Sequence, residues 1–136
     1  AWGYRIENNG KIYSHCSDTE CNRTSKKDLG EDIALYEKVD LCFFDSQYLM
    51  QDIVSIKQGW GHASPNIGVD MAIAYKIKHI LFAHHDPSAT DDTIIALEGQ
   101  MYNYLFKQMR QYERSGKRFP SFKWEFARQD TEFKLG

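Results

Sequence analysis

The chain has 136 residues, 42% hydrophobic and 14% aromatic, which is enough apolar material for one domain with its own core. Lysine and arginine number 17 against 19 acids, a net charge of −2, which excludes a broad basic field for nucleic acid. No apolar run approaches the ~20 residues that a membrane-spanning helix needs.

Asn8-Asn9-Gly10 separates two short β-rich runs, residues 4–7 and 11–16, and the Asn-Gly pair predicts a hairpin turn. Residues 17–30 are polar and read as a loop, and Glu31 to Lys38 read as a short helix. Residues 39–44 are apolar apart from Asp40 and read as a strand in a sheet covered by helices. Ser64-Pro65 predicts a helix start, with serine at the N-cap and proline in the first turn. That helix should span 65–76 and turn Ile67, Met71, Ala74 and Tyr75 inward. Residues 79–83 form the next strand. Thr90-Asp91-Asp92 caps a long helix over 92–115, with Ile94, Leu97, Met101, Leu105, Met109 and Tyr112 as its core stripe. Gly116 ends it, and 122–128 and 132–135 read as closing strands. The expected class is α/β: a mixed sheet covered by helices, in one domain over 1–136.

The chemistry-bearing residues gather at predicted strand ends. Tyr13-Ser14-His15-Cys16-Ser17-Asp18 and Leu41-Cys42-Phe43-Phe44-Asp45 each close a strand on an aspartate, and Ile80-Leu81-Phe82-Ala83 runs into His84-His85-Asp86-Pro87. Sheets of this class bind ligands beyond the carboxyl ends of their strands, so the pattern predicts one crevice and hydrolytic, metal-assisted chemistry. Asp18 either bridges two metal ions through its two oxygens or serves as a turn residue satisfying loop amides. His84 is either a metal ligand or a hydrogen-bonded histidine at a strand end. His62, between Gly61 and Ala63 ahead of the helix at Pro65, either meets a substrate phosphate and protonates a leaving alkoxide or caps the helix. Asp45 supports a metal ligand, orients a histidine or caps its strand.

Cys16, Cys21 and Cys42 are odd in number and without a framework, so free thiols in a reducing cytoplasm are expected. A zinc site built on His15, Cys16 and Cys21 is disfavoured because neighbours on a strand point to opposite faces.

The order of Tyr13-x-x-Cys16-Ser17-Asp18-Thr19, Asp40-Leu41-Cys42-Phe43-Phe44-Asp45, Gly59-Trp60-Gly61-His62-Ala63-Ser64 and Leu81-Phe82-Ala83-His84-His85-Asp86-Pro87 resembles the metallo-β-lactamase superfamily. It looks closest to the phosphodiesterase branch, which includes tRNA 3′-processing endonucleases and phosphoribosyl cyclic phosphodiesterases. The resemblance implies the C-terminal half of an αββα sandwich and two divalent ions (zinc, manganese or iron). It also implies Asp18 as the bridging ligand, His84 as a ligand of one ion, and His62 beside the scissile phosphate of a phosphodiester. His85 and Asp86 receive no ligand role. Ser17 stands where the family usually has glycine.

The superfamily's H-x-H-x-D-H cluster has no counterpart, since the five histidines are 15, 62, 79, 84 and 85. Either the chain is a fragment whose N-terminal half carries that cluster, or it has lost catalysis. The start at Ala1-Trp2-Gly3 favours the fragment. By itself the chain is expected to bind metal weakly and to be inactive. An exposed strand edge makes a homo-oligomer an expectation as well.

Overall fold

A computed structural model describes residues 3–16, 25–46, 64–83, 90–127 and 130–135. Among these residues five strands form one sheet in sequence order: β1 (Tyr4–Asn8), β2 (Lys11–Cys16), β3 (Leu41–Asp45), β4 (His79–Ala83) and β5 (Lys123–Phe126). β1 and β2 are antiparallel, and β2, β3, β4 and β5 are parallel to one another. The sheet is therefore mixed and the fold α/β, as the sequence predicts. The hairpin turns on Asn9 and Gly10, with φ of 50° and 75°, the positive angles a two-residue turn between twisted strands requires.

Among the described residues three α-helices accompany the sheet: α1 (Lys26–Leu29), α2 (Pro65–Tyr75) and α3 (Asp91–Arg114). They pack on one face, because strand alternation turns Cys16, Cys42, Phe44, Ile80, Phe82 and Phe126 to the same side. Val69, Met71, Ala72 and Tyr75 of α2, with Leu97, Met101 and Leu105 of α3, complete that core. The opposite face carries Tyr13, His15, Phe43, His79 and Glu125. There the Tyr13 hydroxyl lies 2.8 Å from His15 Nδ1, and the His15 ring stacks on Phe43 at 4.4 Å.

Several expectations are corrected. The segment read as a helix over Glu31 to Lys38 is a 3-10 helix over Gly30–Leu35, preceded by α1 inside the supposed loop. Ser25 caps α1 by accepting a hydrogen bond from Asp28 N at 3.2 Å, a local signal outweighed in the sequence by surrounding polar residues. Residues 132–135 are not a strand. Asp130 takes a φ of 60°, and Phe133 is held instead by edge-on packing against the His79 ring at 5.9 Å. On α2, Ala74 is exposed while Gly68, Val69 and Ala72 are buried, so the inner face lies rotated from the expected one. Met109 of α3 is 48% exposed, since the buried stripe of that helix ends at Leu105.

The amino ends of the strands are clamped by one carboxylate. Asp40 Oδ2 accepts from Ile12 N at 2.8 Å and Oδ1 from Lys78 Nζ at 3.0 Å, while Asp40 N donates to Ile12 O at 2.9 Å. The Lys78 hydrogen bond, and then the Ile12 amide, hold the Asp40 carboxyl below its ordinary pKa. A carboxyl lowered in the folded state stabilises the fold above its unfolded pKa and loses that contribution as pH falls through the lowered value. Asp40→Asn should thus cost about 1 kcal/mol at neutral pH. Its urea midpoint should also fall less than the wild type's as pH drops below about 4. Parallel pH profiles for the two proteins would show that the clamp contributes nothing.

Candidate functional site

Because β2, β3 and β4 are parallel, their carboxyl ends share one edge of the sheet. Cys16 pairs with Phe44, Phe44 with Phe82, and Asp45 with Ala83. Asp45 is thus the last residue of the central strand and is fully buried. By alternation it projects to the face opposite Phe44. Beside it, Ser46 fastens the two strand ends together: its backbone N and its Oγ both donate to Ala83 O at 2.9 Å.

The remaining sequence candidates, Asp18, His62 and His84, lie outside the described residues. Their described neighbours locate the chain that leads to them. Cys16 ends β2 two residues before Asp18, Ala83 ends β4 immediately before His84, and Ser64 begins α2 two residues after His62. Ser64 is buried and extended (φ −120°, ψ 161°), with Pro65 opening the helix as expected, but its hydroxyl does not cap the helix. Asn66 Oδ1, in the same first turn, is buried without a hydrogen-bond partner among the described atoms.

The zinc reading fails for the reason given by strand geometry. Cys16 lies in the helix-facing core, whereas His15 stacks on Phe43 on the other side. Cys21 is outside the described residues. Cys16 and Cys42 are buried in the core and not joined in a disulfide, and the Cys42 thiol, more than any other neighbour, draws the Cys16 pKa below its ordinary value. No group of three or more His, Cys, Asp or Glu side chains able to hold a metal ion occurs among the described residues. The described part of the chain does not by itself make a metal centre.

Cavities among the described residues lie elsewhere. One of about 530 Å³ is lined by Glu98, Tyr102, Trp124, Glu125, Phe126, Thr131 and Phe133. Another, of about 400 Å³, gathers Lys11, Lys78, Lys123 and Lys134 around His79 near the amino ends of the strands. Asp45 lines neither. In that second cavity burial lowers the His79 pKa, and Glu125, with an oxygen 3.8 Å from Nε2, opposes the shift. Sequence reasoning missed Ser46 and Asp40 as tethers of the sheet, although Asp40 opens the motif that ends at Asp45, since no local signal names their partners. Only the pairing of strands distant in sequence brings their partners to them.

No family model matches the chain, and no curated protein sequence matches it either. Its structure is similar to that of the metallo-β-lactamase fold protein YhfI from Bacillus subtilis, with a TM-score of 0.59 at 13% sequence identity. The match covers 91% of this chain and 40% of that protein. This chain therefore has an α/β architecture corresponding to part of the metallo-β-lactamase fold. It spans less than half the length of the protein it resembles. Among the described residues, no helix is long and apolar enough to cross a membrane.

Proposed function

We propose that the chain is the C-terminal half of a metal-dependent hydrolase domain that cleaves phosphodiesters. The observation that carries this reading is the parallel order of β2, β3 and β4. It brings Cys16, Asp45 and Ala83 to one edge, and in sequence Cys16 stands two residues before Asp18 and Ala83 immediately before His84, in a fold shared with a metallo-β-lactamase fold protein. On this reading Asp18 and His84 would hold divalent ions, zinc, manganese or iron, whose chemistry when bound is Lewis-acid assistance at phosphorus. His62 binds a substrate phosphate oxygen and gives a proton to the leaving alkoxide. Asp45, buried at the strand end, orients a neighbouring ligand rather than meeting substrate. The sheet face bearing Tyr13, His15, Phe43 and His79 is the one a second sheet of the sandwich would cover.

The test compares two purified proteins for metal content and for hydrolysis of bis(p-nitrophenyl) phosphate. One is this chain, and the other is a longer polypeptide that supplies the H-x-H-x-D-H half. The longer protein should bind metal and turn over, and His84→Ala should lower its activity by about a hundredfold or more. The chain alone should do neither, because two ligands fall short of the three that a catalytic zinc commonly has. Tight stoichiometric metal on the chain alone, or a His84→Ala protein with unchanged metal content, would sink the assignment.

A second reading, a non-catalytic module kept for self-association, is favoured by β1. Every residue of that strand is exposed, Tyr4 and Ile6 at 60% and 57%, and its outer edge is open among the described residues. Such a module would show no metal and no turnover even when the missing half is supplied.

A further inference from the structure

We infer that α3 is a self-recognition helix, which docks antiparallel on α3 of a second copy of this chain. Among the described residues seven large hydrophobic side chains are exposed, and four of them share α3: Ile95 (64%), Tyr102 (59%), Phe106 (58%) and Met109 (48%). Their spacing of seven, four and three residues puts all four on one stripe of the helix. That stripe lies away from Leu97, Met101 and Leu105, which are buried in the core. The helix is thus apolar on two sides, and the fold uses only one of them. Scattered apolar residues need no explanation, whereas a continuous row along a helix marks an interaction surface.

The charge along α3 identifies the occupant. Its first half carries Asp91, Asp92 and Glu98, and its second half carries Lys107, Arg110 and Arg114. A helix with one acidic and one basic half complements itself only when reversed, so the partner is a second α3 related by a twofold axis across the stripe. One register satisfies the side chains together. Setting Ile95 against Phe106 of the other copy also sets Tyr102 against Gly99, and brings Asp91 and Asp92 level with Arg110 and Met109. Gly99 lies on the stripe between Ile95 and Tyr102, and a Cβ built there meets nothing within 4 Å, so the position is an open recess for an opposing ring. Tyr102 is held for that role by edge-on packing against Trp124 at 4.9 Å, and Arg110 is held over the Phe106 ring at 4.8 Å. Glu113, the acidic exception in the basic half, and Arg114 beside it both fall beyond the partner helix in this register, so the ionic contact rests on Arg110. The contact is distinct from the β1 edge and independent of any metal chemistry.

Sedimentation equilibrium of the whole chain, from micromolar to submillimolar concentration, tests the inference through one truncation and one charge exchange. The wild type should associate to a dimer. Phe106→Ala, which removes an exposed ring without touching the core, should weaken dimerisation by about thirtyfold. Asp92→Lys and Arg110→Glu should each weaken it by roughly tenfold, because each places like charges at both symmetric ends of the contact. An equimolar mixture of those two variants should associate to within about threefold of the wild type, since the lysine introduced in one copy then meets the glutamate introduced in the other. Recovery on mixing cannot come from a variant that has failed to fold. A strictly monomeric wild type overturns the inference. So does a dimer indifferent to Phe106→Ala, which would place the contact on β1, or a mixture no better associated than either variant alone.

Discussion

Gly68→Val is expected to destabilise the chain by about 3 kcal/mol, the overpacking cost where helix and sheet have no slack. Gly68 is the fourth residue of α2 and faces the sheet, and a Cβ there would sit 2.5 Å from Phe82 Cε1, 2.9 Å from Phe44 Cδ1 and 3.1 Å from Ile80 Cδ1. These belong to neighbouring strands packed in the core, so no free end of a flexible side chain can swing away. Helix propensity favours replacing the glycine, by at most about 1 kcal/mol, and the clash outweighs it. Gly68→Ala should accordingly lose about 1 kcal/mol net and valine several times that. Urea unfolding of the three proteins decides the matter. A Gly68→Ala protein more stable than the wild type would mean that α2 sits farther from β3 and β4 than described.

Phe82→Ala should be more damaging still, by about 3–5 kcal/mol, a large part of the ~5–15 kcal/mol that holds an ordinary domain together. Phe82 is fully buried on β4, between Phe44 on one neighbouring strand and Phe126 on the other, at ring separations of 6.4 and 5.5 Å. Its removal takes away the ring that both neighbours and the Gly68 turn of α2 rest on, and none of the three can collapse into the space without breaking sheet register. The same change at Phe106, 58% exposed on α3, should move monomer stability by no more than about 0.5 kcal/mol. Thermal unfolding at a concentration where the chain is monomeric gives both values. Equal losses at the two positions would show that burial does not set the cost.

The sequence by itself determined the elements whose signals are local. Asn9-Gly10 dictates the hairpin because few other pairs tolerate two positive φ angles. Ser64-Pro65 marks the start of α2, and the Thr90 cap with its acidic neighbours marks that of α3. There the Thr90 hydroxyl accepts from Thr93 N at 3.3 Å and the Thr93 hydroxyl accepts from Thr90 N at 3.4 Å. The apolar run ending at Phe44 reads as a strand because it must be buried on both faces. The order of motifs around Asp18, Asp45, His62 and His84 was enough to indicate the metallo-β-lactamase fold, although 13% identity leaves little else to compare.

Tertiary structure alone decided which strands are neighbours and which side of each helix is inner. Strands β2 to β5 lie side by side in parallel, and that pairing gathers the strand ends at one edge and carries Asp40 to Ile12 and Lys78. The alternation of Glu132-Phe133-Lys134-Leu135 fits a strand as well as a coil anchored by one ring, and only the His79 ring resolves it. Periodicity likewise extends the core stripe of α3 through Met109 and Tyr112, while the fully packed part of it stops at Leu105 and Met109 is exposed. Local signals act over a few residues through φ, ψ and hydrogen bonding. Burial depends on what lies opposite, and across the sheet of this chain what lies opposite is a segment far away in sequence.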